Sequence, residues 1–289
     1  MIASLDIVQQ ACGRAGRSAE GAEPIRIAEN AIWRLPGGVV ARVTPDPVAA
    51  RRELRIARWF AEHGVSAVRP AADGEVVEVD ERAVTFWQEL PPHKMGDCMN
   101  MAALLRQVHD LPVPDFLGPI DPFEALLRRA HGMKCVSGED RDWLFVYIDE
   151  LRDAWRALPD GLPWCVVHGD AWSGNCAVSV EDGKAYLLDF DLVSLGPPEW
   201  DLTAIATALS VGGKLTPQEY KRFCEAYGGT NVLEWAGYGT TRSIRELIMT
   251  TWCASVADVR PEWRPEVQYR VDCLRGKKGP RPWRWTAIH

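Results

Sequence analysis

The most specific pattern in the chain is Val166-Val167-His168-Gly169-Asp170-Ala171-Trp172-Ser173-Gly174-Asn175, followed later by Leu187-Leu188-Asp189-Phe190-Asp191. In each segment an apolar run leads into acidic or amide side chains. Phosphoryl transfer needs such groups, because a carboxylate orients the acceptor hydroxyl and takes its proton while oxygen ligands hold Mg²⁺. The two segments therefore predict a phosphoryl-transfer site.

Three residues are the candidates for this chemistry. Asp170 is the carboxylate expected beside the acceptor hydroxyl. Asn175 follows it by five positions, the spacing at which kinase catalytic loops place a metal-binding carbonyl oxygen. Asp189 is the second carboxylate that Mg²⁺ is expected to need. The apolar segments around Glu181-Asp182-Gly183 predict a hairpin that folds Asp189 back beside Asn175.

Three motifs in this order resemble the aminoglycoside phosphotransferase and choline kinase family. They are His168-Gly169-Asp170 with Asn175, then Leu188-Asp189-Phe190-Asp191, then Gly196-Pro197-Pro198-Glu199-Trp200-Asp201-Leu202. The resemblance implies ATP and Mg²⁺ as cofactors, Asp170 as the catalytic base, and Asn175 and Asp189 as the metal ligands. It covers about residues 25–209 and is strongest over residues 165–202.

The same resemblance implies a fold and a division of the chain. The expected class is α+β, a protein-kinase-like two-lobed fold with a small antiparallel-sheet N-terminal lobe and a mainly helical C-terminal lobe. Residues 1–90 would form the nucleotide-binding lobe, and residues 91–289 the helical lobe with the catalytic loop and the acceptor site. The boundary falls at a Pro-Pro linker, where the family's backbone binds adenine, which assigns Glu89 and Leu90 to the cofactor.

The strand predicted at residues 39–43 carries the expected phosphate-binding side chain. Strand alternation puts Val40 and Arg42 on one face. In the family an alanine or valine contacts adenine, and a lysine two residues later contacts the α and β phosphates, so Val40 and Arg42 take these places. Arginine binds phosphate oxygens through its planar fork but is not interchangeable with lysine. A plain surface arginine is the competing interpretation.

A helix predicted at residues 46–64 places Glu53 on its apolar face. A glutamate in that position needs a partner. The resemblance supplies Arg42, through the ion pair that holds the phosphate-binding side chain. The alternative is a surface contact of Glu53 with Arg52 or Arg55.

The remaining candidates lie in or near the motifs. We expect His168 to shape the loop, and Asp201 to brace the loop or to cap the helix that follows. Asp191 resembles the second acid of the choline kinase motif, near the metals; a solvated strand-end acid is the alternative. Trp172 is expected to face the substrate. Glu29-Asn30 takes the place of the family's phosphate-covering first turn, although Asn30 also suits an ordinary turn.

Composition and charge limit the class of protein. With 47% hydrophobic and 25% charged residues, the chain is typical of soluble globular proteins. It shows no signal segment and no apolar run of roughly 18 residues, and its eight cysteines have no metal-ligand spacing. We therefore expect a cytoplasmic protein without a membrane span. The net charge of −7 argues against nucleic-acid binding and is compatible with a cationic acceptor.

The sequence thus predicts an ATP-dependent, Mg²⁺-requiring kinase of a hydroxyl group on a small molecule. Antibiotic inactivation comes first, because the motifs resemble aminoglycoside phosphotransferases more than choline kinases. The alternatives are a kinase of a sugar or amino-alcohol metabolite and a nucleotide-binding pseudokinase, the latter because Arg42 replaces lysine and no Gly-rich loop is present. A protein kinase is disfavoured, since Trp200 follows Asp189 by only eleven positions. The oligomeric state is not predicted.

Overall fold

The structure is a computed structural model that describes residues 2–27, 30–72, 74–213 and 215–288. Its strands are β1 Glu23–Ile27, β2 Ala31–Leu35, β3 Val39–Thr44, β4 Val77–Val79, β5 Arg82–Gln88, β6 His93–Met95, β7 Cys165–Val167, β8 Cys176–Ser179, β9 Ala185–Leu187 and β10 Ser194–Gly196. Its helices are α1 Ile2–Arg14, α2 Pro47–Glu62, α3 Cys98–His109, α4 Glu124–Gly132, α5 Gly138–Arg156, α6 Glu199–Ser210, α7 Pro217–Tyr227, α8 Tyr238–Val259 and α9 Arg264–Leu274. The mixed content confirms the predicted α+β class.

The main sheet is antiparallel, with the strand order β1-β2-β3-β5-β4. Gly37 and Gly38 join β2 to β3 with φ values of 79° and 70°, which glycine adopts without strain. Alternation along β3 buries Ala41 and Val43 and leaves its other face partly exposed. The buried face belongs to the core that also includes residues of α1. The partly exposed face carries Arg42.

Helix α2 begins at a strong N-cap. The carboxylate of Asp46 accepts hydrogen bonds from the backbone N–H groups of Val48 and Ala49, at 2.9 and 3.0 Å, and Pro47 occupies the first helical position. The helix buries Ile56 and Phe60 on its apolar face. The cap therefore fixes the start of the helix that carries Glu53.

We expect Asp46→Ala to lower the free energy of unfolding by about 1 kcal/mol, because the first turn of α2 loses its side-chain acceptor. Urea denaturation would measure the change. Asp46→Asn keeps an acceptor oxygen and should retain most of the stability. An Asp46→Ala protein as stable as the wild type would contradict the assigned cap.

The chain divides into two compact units. The first comprises Met1–Leu111 and Ser173–Val193; it contains the main sheet and a smaller sheet with the order β6-β8-β9. The second comprises Pro112–Trp172 and Ser194–His289; it contains α4 to α9 and the antiparallel pair β10-β7. The predicted functional division into residues 1–90 and 91–289 stays a prediction.

Three elements of the structure were not predicted from the sequence: β6, β10 and α9. The two strands are three residues long, too short to show alternation, and each gains its hydrogen bonds from a partner distant in sequence. Helix α9 starts at Arg264 and mixes charged and apolar residues without a clear period. Among the described helices, none combines the length and apolar character that a bilayer crossing requires.

The basic, tryptophan-rich segment of residues 271–285 packs within the second unit. Trp283 and Trp285 are buried and stacked, with ring centroids 5.7 Å apart. The backbone N–H of Trp283 donates to the carbonyl oxygen of Ser210 at 2.9 Å. Arg281 forms a bidentate ion pair with the buried Glu246, in which its Nε and Nη2 donate to the two carboxylate oxygens. The tryptophans thus serve packing.

Candidate active site

The predicted catalytic loop follows β7 and is held by the first turn of α6. The carboxylate of Asp201 accepts hydrogen bonds from the backbone N–H groups of His168, at 2.6 Å, and Gly169, at 2.9 Å. The indole N–H of Trp200 donates to the carbonyl oxygen of Gly169 at 3.0 Å. Gly169 itself has a φ of 86°, which favours glycine. The peptide before Asp170 is therefore fixed on both sides.

The prediction that Asp201 caps the helix is wrong. Helix α6 begins at Glu199 with Pro198 as its N-cap residue, because the two consecutive prolines start the helix before Asp201 is reached. Asp201 lies inside the first turn and is fully buried. Its carboxylate contacts the loop, as the resemblance to the family implies.

The side chains around Asp170 differ sharply in exposure. The imidazole of His168 is buried, and its Nδ1 accepts a hydrogen bond from the backbone N–H of Asp170 at 3.3 Å. The carboxylate of Asp170 is 47% exposed, and Trp172 is also exposed. The loop therefore presents an acid and an aromatic ring to solvent while its histidine packs inward.

In the first unit, Arg42 joins two carboxylates. Its Nη1 forms an ion pair with Glu53, and its Nη2 donates to Asp191 Oδ2 at 3.0 Å. The predicted partner of Glu53 is thus present, and the alternative of a surface contact with Arg52 or Arg55 is wrong. Arginine holds both acids at once because its planar fork carries several N–H groups.

Burial and charge act in opposite directions on the pKa values of this ion pair. Desolvation raises the pKa of Glu53 to about 7, although the nearby Arg42 favours the ionised form. For Arg42, burial opposes the charged form, yet the carboxylates of Glu53 and Asp191 outweigh it and raise its pKa. Each charge of the pair is therefore disfavoured by burial and favoured by its partner.

The antiparallel hairpin of β8 and β9 reverses the direction of the chain, as the sequence predicts. Cys176 pairs with Leu187, and the backbone N–H of Leu188 donates to the carbonyl oxygen of Asn175 at 2.9 Å. Asn175 is buried directly before β8. This register brings Asp189 back beside Asn175.

The acids after this hairpin form a group suited to a cation. Phe190 is buried edge-on against Phe60, with ring centroids 5.3 Å apart, while its neighbours Asp189 and Asp191 stay exposed. Carboxylate oxygens of Asp189, Asp191 and Glu53 lie within 4.8 Å of one another. Hard oxygen ligands of this kind fit Mg²⁺.

Two backbone features support this group. Asp189 has a φ of 61°, a left-handed conformation that is rare outside glycine and clusters at functional sites. Arg52, on α2, donates through Nη1 to the carbonyl oxygen of Asp191 at 2.8 Å, and its Nη2 contacts that of Val193. The position of the acids is thus tied to the helix that carries Glu53.

The predicted adenine-binding segment continues the main sheet. The backbone N–H of Glu89 donates to the carbonyl oxygen of Gly38 at 2.8 Å, and its carboxylate accepts from Arg34 Nε at 2.6 Å. The Glu89 N–H and carboxylate are thus both engaged within the first unit. Val40 is partly exposed.

The predicted phosphate-covering turn is described only in part. Asn30 lies directly before β2 and is partly exposed. Glu29, the other residue of this turn, lies outside the described residues.

Sequence reasoning missed two arginines that contact the candidate residues, Arg52 and Arg245. For Arg52, the sequence suggests only a surface contact with Glu53. Arg245 lies in α8, where the sole sequence signal is a charged side chain next to the apolar Ile244 and close to Leu247. Both contacts join segments that are distant in the chain, so no local motif marks them.

Known proteins resemble this chain in sequence pattern and in fold. A sequence model described as the phosphotransferase enzyme family matches residues 22–243. By sequence, no curated protein matches the chain.

Three solved structures show the same fold. A choline/ethanolamine kinase family protein from Mesorhizobium loti has 18% identity and a TM-score of 0.68, covering 96% of this chain and 94% of its own. An amicoumacin kinase in complex with AMP-PNP, Ca²⁺ and Ami has 14% identity and a TM-score of 0.77, covering 96% of both chains. A spectinomycin phosphotransferase in complex with ADP and spectinomycin has 15% identity and a TM-score of 0.63, covering 89% of this chain and 93% of its own.

Proposed function

Because the chain belongs to the phosphotransferase enzyme family, whose sequence model matches residues 22–243, we propose that it is an ATP-dependent kinase of a hydroxyl group on a small molecule. Its first expected substrate class is a sugar- or nucleoside-containing antibiotic, aminoglycosides among them, which phosphorylation would inactivate. The observation that carries the proposal is the fixed loop that presents the carboxylate of Asp170 to solvent.

The role we assign to Asp170 is that of the general base. A base must hold its carboxylate where the acceptor hydroxyl arrives, and a rigid loop lowers the entropic cost of that alignment. The buried Asp201 and Trp200 supply the rigidity by binding the Gly169 peptide. Trp172, exposed in the same loop, is the surface on which we expect part of the acceptor to lie.

We assign nucleotide binding to the first unit. Asp189 and Asn175 would hold Mg²⁺, with Asp191 and Glu53 beside them, and the ion would neutralise the charge of the β and γ phosphates. Arg42, braced by Glu53, would contact the α and β phosphates. Val40, Glu89 and Leu90 would surround adenine, and Asn30 would lie near the phosphates. The carboxylate group within 4.8 Å supports the metal assignment.

The preference for an antibiotic acceptor is supported by two structural neighbours, whose names give amicoumacin kinase and spectinomycin phosphotransferase. A metabolite kinase is the second candidate, because the neighbour from Mesorhizobium loti is a choline/ethanolamine kinase family protein. We place the protein in the cytoplasm, where MgATP is available to it.

The test is ADP release from MgATP by the purified protein. The acceptor panels are aminoglycosides, nucleoside and peptide antibiotics, simple sugars and amino alcohols, with the Asp170→Asn protein as the blank. Acceptor-dependent ADP release that the blank lacks would establish the kinase and its substrate class. Micromolar ATP binding without turnover on any panel would favour the pseudokinase instead.

We expect Arg42→Met to weaken MgADP binding by about 10- to 100-fold, the loss expected when charge-assisted hydrogen bonds to phosphate disappear. Calorimetric titration would measure the dissociation constant. Because this change also leaves Glu53 buried without its cation, the protein should melt at a lower temperature.

The double variant Arg42→Met/Glu53→Gln separates the two effects. It removes both buried charges, so stability should largely return while the weak affinity for MgADP remains. Recovery of affinity together with stability would show that Arg42 acts on the fold and not on the nucleotide.

A further inference from the structure

Arg245, in α8, is a buried arginine beneath the catalytic loop of the second unit. Its side chain is 7% exposed. The guanidinium lies over the ring of Trp200, 3.9 Å from the ring centroid, and its Nη2 donates to the Trp200 carbonyl oxygen at 3.2 Å. Helices α8 and α6 are joined nearby, since the hydroxyls of Thr203 and Thr241 lie 2.9 Å apart. The charge of Arg245 is thus held in one place.

Two carboxylates of the candidate site face this guanidinium. Nη1 of Arg245 lies 3.9 Å from Asp170 Oδ1, and Nη2 lies 4.0 Å from Asp201 Oδ1. These separations exceed a hydrogen bond, so the interaction is one of charge. Burial lowers the pKa of Arg245, while both carboxylates act in the opposite direction.

Burying an arginine at this position lowers the stability of the fold more than an apolar side chain would. Its Nε has no hydrogen-bond partner among the described residues, and a buried donor left unsatisfied lowers stability. Methionine or leucine would pack against Trp200 without that loss. What an apolar side chain cannot supply is a positive charge shared by Asp170 and Asp201.

We propose that Arg245 is a positioning residue, whose charge holds the Asp170 carboxylate against the loop and offsets its repulsion by Asp201. Without this cation, the two carboxylates that now lie 3.9 and 4.0 Å from its guanidinium would repel each other. Asp201 is fixed by the N–H groups of the loop. Asp170 is half exposed, so its carboxylate is the one that would turn towards solvent if the cation were removed. The inference rests on the proposed role of Asp170 as the base.

Steady-state kinetics of Arg245→Met test this inference, with the acceptor identified by ADP release. We expect kcat to fall by roughly 100-fold, the cost of a displacement of about 1 Å at a reacting group, while KM for MgATP stays within about threefold, since the nucleotide residues are untouched. Arg245→Lys keeps the charge and should recover most of kcat. In an Asp170→Asn background, Arg245→Met should cause no further loss.

Arg270→Met is the matched control. Arg270 is also buried, pairs with Glu266 at 2.8 Å and lies over Trp285 at 4.9 Å, but it contacts neither Asp170 nor Asp201 in the described structure. It should lose stability and keep kcat.

An unchanged kcat in Arg245→Met, or an equal loss in Arg270→Met, would overturn the inference. So would a kcat of Arg245→Lys as low as that of Arg245→Met. Failure of the proposed function looks different, because Asp170→Asn would then turn over like the wild type, or the wild type would not turn over at all.

Discussion

Asp170→Asn is expected to lower kcat by about 10²- to 10⁴-fold, the usual contribution of a general base. The amide has nearly the shape of the carboxylate but cannot take a proton from the acceptor hydroxyl. The dissociation constant for MgADP should stay the same, because every residue assigned to the nucleotide lies elsewhere in the chain. ADP release gives the first quantity, and calorimetric titration gives the second.

Asp6→Asn is a suitable control for this change, because Asp6 is exposed in α1 and far along the chain from every candidate residue. It should turn over like the wild type. Near-wild-type turnover in Asp170→Asn would remove Asp170 from the role of base. Loss of MgADP binding in Asp170→Asn would point to a misfolded loop.

The parts of the site that the sequence predicted are those encoded by short, ordered patterns. The register of β8 and β9 follows from the hairpin around Gly183, so Asp189 could be placed beside Asn175 before the structure was known. The prediction of the Arg42–Glu53 ion pair combined strand alternation, the apolar face of a helix and the resemblance to a family. Apart from the resemblance, both predictions use only patterns within short segments of the sequence.

The unpredicted parts depend on tertiary contacts. Nothing near Asp191 shows that Arg42 would bind its side chain while Arg52 holds its backbone. The hydrogen bond from the Trp200 indole to the Gly169 carbonyl oxygen likewise joins segments too distant in sequence for any periodicity to predict it. Fold class therefore followed from local pattern together with the resemblance to the family, whereas the contacts of Arg52, Trp200 and Arg245 with the candidate residues did not.

The second large effect is expected for Asp201→Ala, which should lower the free energy of unfolding by about 3–5 kcal/mol, as breaking a buried charge pair does. The change leaves the buried N–H groups of His168 and Gly169 without their acceptor and Arg245 without one of its two carboxylates. Because the loop then loses its fixed position, kcat should fall as well, even where the variant is fully folded. Urea denaturation and ADP release measure the two losses.

Glu199→Ala separates stability from catalysis. Glu199 lies in the same first turn of α6, is equally buried, and accepts a hydrogen bond from the backbone N–H of Leu162 at 2.5 Å, away from the catalytic loop. Its removal should cost stability and spare kcat. Asp201→Asn keeps one acceptor oxygen and should fall between the wild type and Asp201→Ala in both measurements. If Glu199→Ala and Asp201→Ala lost kcat equally, the first turn of α6 would matter as a whole, and the hydrogen bonds of Asp201 to the loop would have no separate role in catalysis.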